Sequence, residues 1–367
     1  MTFTAKLLGA TAATALLTSG AIAGGLDRSG QPTSIIFKDG RYLEFSGAFV
    51  MPDVSGTITG GGRTGNGQND YQFFGIGYKA DINDQLSYAV ILDEPYGSDV
   101  EYGPGLGSPF NGLEGEVNSQ ALTALLRYEL GNGFSVHGGL RAQQADANAF
   151  IPAALLVPFP TDYSVRGDAD VGYGAVLGFA YEKPEIALRV AMTYSTSIEH
   201  DVDYQESLGG ASSGTLEFPE SVNLEFQSGV NQSTLVFGSI RWANYSDFTI
   251  SPPNFTTTLG RPLVSYADDA WSYDLGVARR ITPDFVATVA FGYEASNDSA
   301  NPSPFSPADG RRSISVAGIY TVGNAEITAG VRYTDLGDET IPLGAAAQAS
   351  FRDNDAISVG IRVGFKL

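Results

Sequence analysis

Cysteine is absent from the 367 residues, so neither disulfides nor thiolate-ligated metals organise this chain. Histidine occurs only twice, as His137 and His200. With so few imidazoles, no catalytic constellation is expected and no cofactor is implied. Positive charge is scarce: 21 Lys and Arg stand against 41 Asp and Glu, a net charge of −20. Such a chain repels phosphate backbones, which excludes nucleic acid as a partner. Charged residues of both signs make up only 17%, against about 25% in an ordinary soluble protein. Long apolar runs are also missing. The run Leu7 to Leu17 is shorter than the span of about 20 residues that a membrane helix needs.

That run instead completes an export signal. Lys6 precedes it and Ala21-Ile22-Ala23 offers small residues for cleavage, so residues 1–23 read as a signal peptide. What the chain has in quantity is glycine (45), tyrosine (18) and phenylalanine (21). The last twelve residues show how these are used. Ile357, Val359, Ile361, Val363, Phe365 and Leu367 share one face of a strand, while Ser358, Gly360, Arg362, Gly364 and Lys366 share the other. An apolar face running to the chain terminus fits a barrel strand with lipid outside and a polar lumen inside.

The same period recurs in about 14 segments: 41–51, 70–80, 85–93, 119–129, 133–145, 170–182, 185–198, 217–228, 233–243, 270–281, 284–296, 311–322, 324–335 and 356–367. Short connections with turn residues, such as Gly131-Asn132-Gly133 and Thr282-Pro283, alternate with long ones: 52–69, 94–118, 146–169, 199–216, 244–269, 297–310 and 336–355. Short periplasmic turns and long extracellular loops are the plan of an outer-membrane barrel. The expected architecture is therefore all-β: a transmembrane antiparallel barrel over residues 41–367, placed in the bacterial outer membrane. Tyr42, Tyr71, Tyr78, Tyr128, Tyr181, Tyr194, Trp242, Trp271, Tyr273, Tyr293, Tyr320 and Tyr333 are expected at its two interfacial belts.

Four stretches carry a family likeness: Leu-Glu-Phe-Pro-Glu-Ser-Val-Asn-Leu at 216–224, Ile-Arg-Trp-Ala-Asn-Tyr-Ser-Asp-Phe at 240–248, the segment from Pro302 through Arg311 to Tyr320, and Asp-Glu-Pro-Tyr-Gly at 93–97. In order and spacing they resemble the FadL/TodX outer-membrane transporters of long-chain fatty acids and other hydrophobic compounds. The resemblance implies a 14-stranded barrel, an N-terminal hatch inside it, and sideways release of substrate where the third strand kinks inward. Here residues 24–40 form a hatch segment shorter than the family's, with Gln31-Pro32-Thr33 where the family has Asn-Pro-Ala.

Three groups of residues are candidates for function. Loop 146–169 is unusually apolar, and Phe150, Ile151, Leu155, Leu156, Val157 and Phe159, with Phe110 and Leu113 of loop 94–118, are read as a capture groove for an acyl chain or hydrocarbon. The bland reading is packing at the barrel mouth. Inward-facing arginines Arg127, Arg141, Arg189, Arg241 and Arg332 could hold a carboxylate in a two-pronged pair, or could brace the barrel against Glu44, Glu129, Asp274, Glu294 and Glu326. Pro95 and Gly97 mark a break in the third strand, where a lateral opening would form. Acidic clusters such as Glu199 to Asp203 read as solvated loop surface. The partners expected are fatty acids or aromatic hydrocarbons, membrane lipid and lipopolysaccharide, with the protein a monomer. A polar-solute porin and a surface adhesin or structural barrel are the rival functions.

Overall fold

The computed structural model describes residues 26–296, 302–344 and 346–367. The proposed signal peptide lies outside the described residues. Fourteen strands close into one antiparallel barrel. They are β1 (Tyr42–Asp53), β2 (Tyr71–Asp81), β3 (Leu86–Asp93, resuming at Gly97–Glu101), β4 (Glu114–Gly131) and β5 (Phe134–Ile151). Next come β6 (Tyr163–Ala169, then Gly172–Lys183), β7 (Leu188–Ser195, then Ile198–Glu206) and β8 (Gly210–Phe218, then Ser221–Asn231). The wall is completed by β9 (Thr234–Ala243), β10 (Ala270–Arg280), β11 (Phe285–Glu294), β12 (Arg311–Val322), β13 (Ala325–Leu336) and β14 (Asn354–Lys366). Each strand pairs with the next, and β14 returns to β1 in an unbroken register from Tyr42–Lys366 to Asp53–Asp355. A closed ladder leaves no edge, which is what hydrocarbon demands of a sheet.

Alternation settles which face is which. On β4, Leu125 is 2% exposed while its neighbours Leu122 and Leu126 are 50% and 54% exposed. The exposed set continues around the wall with Phe45, Phe74, Leu140, Leu177, Phe291 and Ile361. So continuous an apolar surface would be untenable in water and is ordinary in lipid. At the outer rim, Trp271, Tyr273 and Tyr293 stack along it with ring centres 6.5 and 6.4 Å apart. Tyr42 and Tyr71 do not join these belts. They occupy inward positions: Tyr42 is buried beneath Lys38, whose Nζ is 4.7 Å from the ring centre, and Tyr71 lies under the guanidinium of Arg28 at 4.8 Å.

Two of the expected loops are largely strand. Residues 198–218 form a hairpin that carries β7 and β8 beyond the membrane, paired from Ile198–Phe218 to Glu206–Gly210. Its acids concealed the alternation: Glu199, Asp201 and Asp203 point out, while His200, Val202 and Tyr204 are buried. Within it, Gly210 to Gly214 fits Gly-x-Ser-x-Gly in spelling only. Ser212 lies mid-strand and donates to Glu206 at 2.7 Å, with no strand-to-helix elbow. Strands β4 and β5 likewise extend to Glu114 and Ile151. At the inner end the turns are tight, and Gly131, Asn132 and Gly133 all take positive φ.

Above the wall sits an extracellular cap. A four-stranded sheet joins Ser55–Ile58, Gly62–Asn66, Glu339–Pro342 and Gln348–Phe351. Beside it a short helix, Pro253–Leu259, is flanked by a two-stranded ladder at Thr249–Ile250 and Val264–Ser265. Tyr102, Phe110 and Phe351 form the cap's aromatic centre, at 5.2 to 6.4 Å between rings. Fully burying rings of this size stabilises by about 1.5–3 kcal/mol each, enough to fix the cap over the bore.

Candidate functional site

The cap holds an apolar groove of about 530 Å³. Of the groove residues expected from sequence, Phe110, Leu113, Ile151, Leu155 and Val157 line it. Leu156 and Phe159 pack into the surrounding core instead. Phe150 lies elsewhere: because β5 continues through Ile151, strand alternation turns Phe150 to the outer face, opposite exposed Glu114. Sequence reasoning missed the far wall, made by Phe255, Leu263 and the 302–305 and 341–344 segments. The prolines of 302–305 were visible as a likeness but gave no sign of where that segment folds. Among the described residues, Arg261 is the single charged side chain lining the groove. Among the described residues it makes no ion pair.

A second apolar space lies deeper, against the inner face of β4, β5 and β6. Small side chains at Gly115, Ala147, Ala149 and Gly167 open the space, and Val264 and Tyr266 close the opposite side. Burial pushes the Tyr266 hydroxyl up to about 12, and its hydrogen bond with the Ser306 side chain partly offsets that rise. Leu263 and Phe305 line both cavities and so divide them. Leu26 reaches the deeper cavity from the N-terminal segment.

That segment, Leu26 to Gly40, runs inside the barrel. Asp27 takes a two-pronged ion pair from Arg241 at 2.8 and 2.9 Å, and Arg241 also donates to Asn223 at 3.0 Å. Gln31 donates to the Tyr96 hydroxyl at 2.7 Å and accepts from Ser221 at 3.1 Å. Further down, Phe37 is clasped between the guanidiniums of Arg127 and Arg189 at 4.8 and 4.7 Å, with the edge of His137 at 5.5 Å. The segment is thus tethered to β3, β8 and β9 by polar bonds and to the lower wall by cations over a ring.

The arginines divide into two kinds. Arg127 pairs with Glu182, Arg241 with Asp27, Arg332 with Asp274 at 3.1 Å and Arg362 with Glu44 at 3.3 Å. Those charges are already matched. Arg141 and Arg189 form no ion pair among the described residues. Arg141 is buried and donates from Nε to Thr123 at 2.9 Å.

The break at Pro95 and Gly97 is real backbone geometry. Pairing of β2 with β3 stops at Ile76–Leu92 and is taken up again only above, where Asn69 N donates to the Asp99 carbonyl at 3.1 Å. Across the gap the N-terminal segment supplies the missing partners: Arg28 N to Pro95 O at 2.8 Å, Ser29 N to Glu94 O at 3.2 Å and Gly97 N to Leu26 O at 2.8 Å. A Cβ at Gly97 would lie 2.2 Å from the Arg28 guanidinium carbon, so a larger residue there displaces the Arg28 side chain. Beside the gap a small cavity lies between lumen and wall. Ser29, Pro32 and Asp93 line its inner side, and Phe74, Ile76 and Leu92 its outer side.

A sequence profile of the outer membrane protein transport proteins (OMPP1/FadL/TodX) matches residues 55–350. Among solved structures, a Pseudomonas aeruginosa FadL homologue superposes with a TM-score of 0.74 at 15% identity, covering 96% of this chain and 98% of that one. The toluene transporter TodX of Pseudomonas putida gives 0.61 at 15%, covering 96% and 100%. The toluene transporter TbuX of Ralstonia pickettii gives 0.60 at 12%, covering 96% and 97%. No curated protein matches the sequence. The chain belongs to the outer membrane protein transport protein family (OMPP1/FadL/TodX): it is a channel-type transporter of hydrophobic compounds in the bacterial outer membrane, not an enzyme.

Proposed function

We propose that the cap groove captures a hydrophobic molecule from outside and passes it to the deeper cavity. The molecule then leaves sideways, through the gap between β2 and β3, into the membrane. The observation that carries this reading is the order of the spaces: groove and inner cavity share Leu263 and Phe305, Leu26 borders the inner cavity, and Ser29 and Pro32 border the wall gap. Residues 26–32 therefore stand between the second space and the third, as a short hatch.

No energy source beyond the solute gradient is needed. Each methylene moved from water into an apolar site gains about 0.8 kcal/mol. A groove that covers part of an acyl chain already concentrates it at the mouth. The lower lumen is lined by Asp27, Glu225, Arg241, Asp274 and Arg311, which disfavours onward passage of an apolar chain and favours the wall exit. An open-bored porin fits poorly with the segment tethered across the lumen. A purely adhesive barrel gives no reason for a cavity at the wall gap.

Arg261 favours long-chain acids among the hydrophobic cargoes, since it can meet a carboxylate while the tail lies in the groove. TodX and TbuX are toluene transporters, and the inner cavity, which no cation lines, suits such neutral solutes equally well. Radiolabelled oleate and toluene uptake in a deletion strain carrying this gene separates the two. The reading expects uptake of at least one to be restored, and Leu155→Asp to reduce it several-fold. Restoration of neither would overturn it.

A further inference from the structure

We infer that the ring of Phe305 is a swinging partition that controls exchange between the outer groove and the inner cavity. The inference rests on the groove being the way in.

Phe305 and Leu263 are the two side chains common to both spaces. They are held very differently. Leu263 is buried, its N–H donates to the Ile250 carbonyl at 2.9 Å, and its neighbour Val264 pairs with Ile250 in the two-stranded ladder. Phe305 sits at the tip of a four-residue turn closed by Ser306 N donating to Ser303 O at 3.0 Å. The turn is held on both sides of the ring, by its backbone at Pro304 and by the side chain of Ser306. Tyr102 donates to the Pro304 carbonyl at 2.9 Å and Tyr266 bonds Ser306. The ring itself has no such restraint and remains partly exposed. A fixed turn bearing an unfixed side chain is a hinge whose only moving part is χ1 and χ2, and such rotations are fast on the scale of domain motion.

The ring also has a seat. Gly115 of β4 faces inward, and a Cβ there would fall 2.5 Å from both Cδ1 and Cε1 of Phe305. Glycine at 115 is therefore a notch that receives the ring. Seated, the ring separates the two cavities. Rotated away, it leaves them joined past Leu263. The walls nearest the ring are mostly aliphatic and aromatic on both sides, so the ring moves between two largely apolar surroundings at little cost in solvation.

A partition and a mere lining residue predict different kinetics. A partition sets the barrier, so its removal speeds entrance and exit alike and leaves affinity unchanged. A lining residue contributes contact, so its removal speeds exit alone and weakens affinity in proportion. Stopped-flow binding of the neutral fluorophore 1-N-phenylnaphthylamine to the purified full chain in nanodiscs reads both rates. Phe305→Ala is expected to raise association and dissociation each by about tenfold, equivalent to about 1.4 kcal/mol of barrier, with Kd changed less than twofold. Gly115→Ala keeps the ring but denies it its seat, and is expected to speed both rates in the same direction. Faster dissociation alone, or no change in either rate with Phe305→Ala, would overturn the partition. Leu155→Asp in the groove separates the two ideas: if it leaves association untouched, the groove is not the way in; if it slows association while Phe305→Ala does nothing, only the partition fails.

Discussion

At the scale of single residues, facing direction decides what a substitution does. Leu155 lines the groove and Phe150, five positions earlier, points out of the wall. Leu155→Asp places a charge in an apolar site and is expected to reduce uptake several-fold, whereas Phe150→Asp should leave uptake within twofold. Equal loss from both would mean that the cap, not the groove, had been damaged. Gly97 gives a sharper case. A methyl at 97 collides with the guanidinium of Arg28, which must then leave its place over Tyr71. Gly97→Ala should free the N-terminal segment, and limited trypsin digestion should then cut after Arg28 several-fold faster than in the native protein. Direct pairing separates the arginines in the same manner. Arg141 forms no ion pair among the described residues, with Asp93 only within electrostatic reach, while Arg241 and Arg332 pair directly with Asp27 and Asp274. Arg141→Gln is accordingly expected to lower oleate uptake and spare toluene uptake, and a parallel fall in both would assign it to packing alone.

At the scale of elements, the wall was legible because lipid outside and water inside force a strict period of two, and that period survives in β14 and β4 without help from context. It failed where polarity no longer follows the bilayer. Beyond the membrane both faces of β7 and β8 meet water or the cap, so Glu199, Asp201 and Asp203 read as a loop although His200 and Val202 are buried between them. Tyr42 and Tyr71 misled for the converse reason, since a tyrosine suits a cation inside the lumen as well as it suits a headgroup belt. The break in β3 was visible through Pro95 and Gly97, but its partner was not. Nothing in Leu26 to Ser29 announces a strand, because the hydrogen bonds it makes are backbone bonds that any residues could supply. That pairing has a testable consequence. Ser29 Oγ donates to Asp93 at 2.5 Å, so a cysteine at each position stands close enough to bridge in a chain that otherwise has none. Ser29→Cys with Asp93→Cys should support normal uptake when reduced and lose most of it when oxidised. Undiminished uptake in the oxidised form would show that the segment need not move.

For the whole molecule the problem is what fills the bore. Barrels of about eight strands close on their own side chains, and those of 16–18 leave an aqueous channel. Fourteen strands fall nearer the second case, so a barrel that is not a pore needs an occupant. Here the occupant is Leu26 to Gly40, and the arginines and acids of the lower wall are arranged around it: Arg241 on Asp27, Lys38 on Glu326 at 3.3 Å, Arg127 and Arg189 on Phe37. Removing one partner from a buried pair costs about 3–5 kcal/mol because the other charge is left unmatched. Asp27→Asn therefore weakens the tether at the point nearest the apolar spaces while keeping the shape of the side chain. The native protein in a planar bilayer is expected to carry no steady ion current. Asp27→Asn should show brief openings, and deletion of residues 26–40 should give a stable conductance of porin size. If the deletion variant folds, shown by its heat-modifiable mobility on a gel, and still passes no ions, then the wall's own side chains close the bore. The segment would then act only at the β3 gap, where it completes the missing ladder, and no longer as a plug.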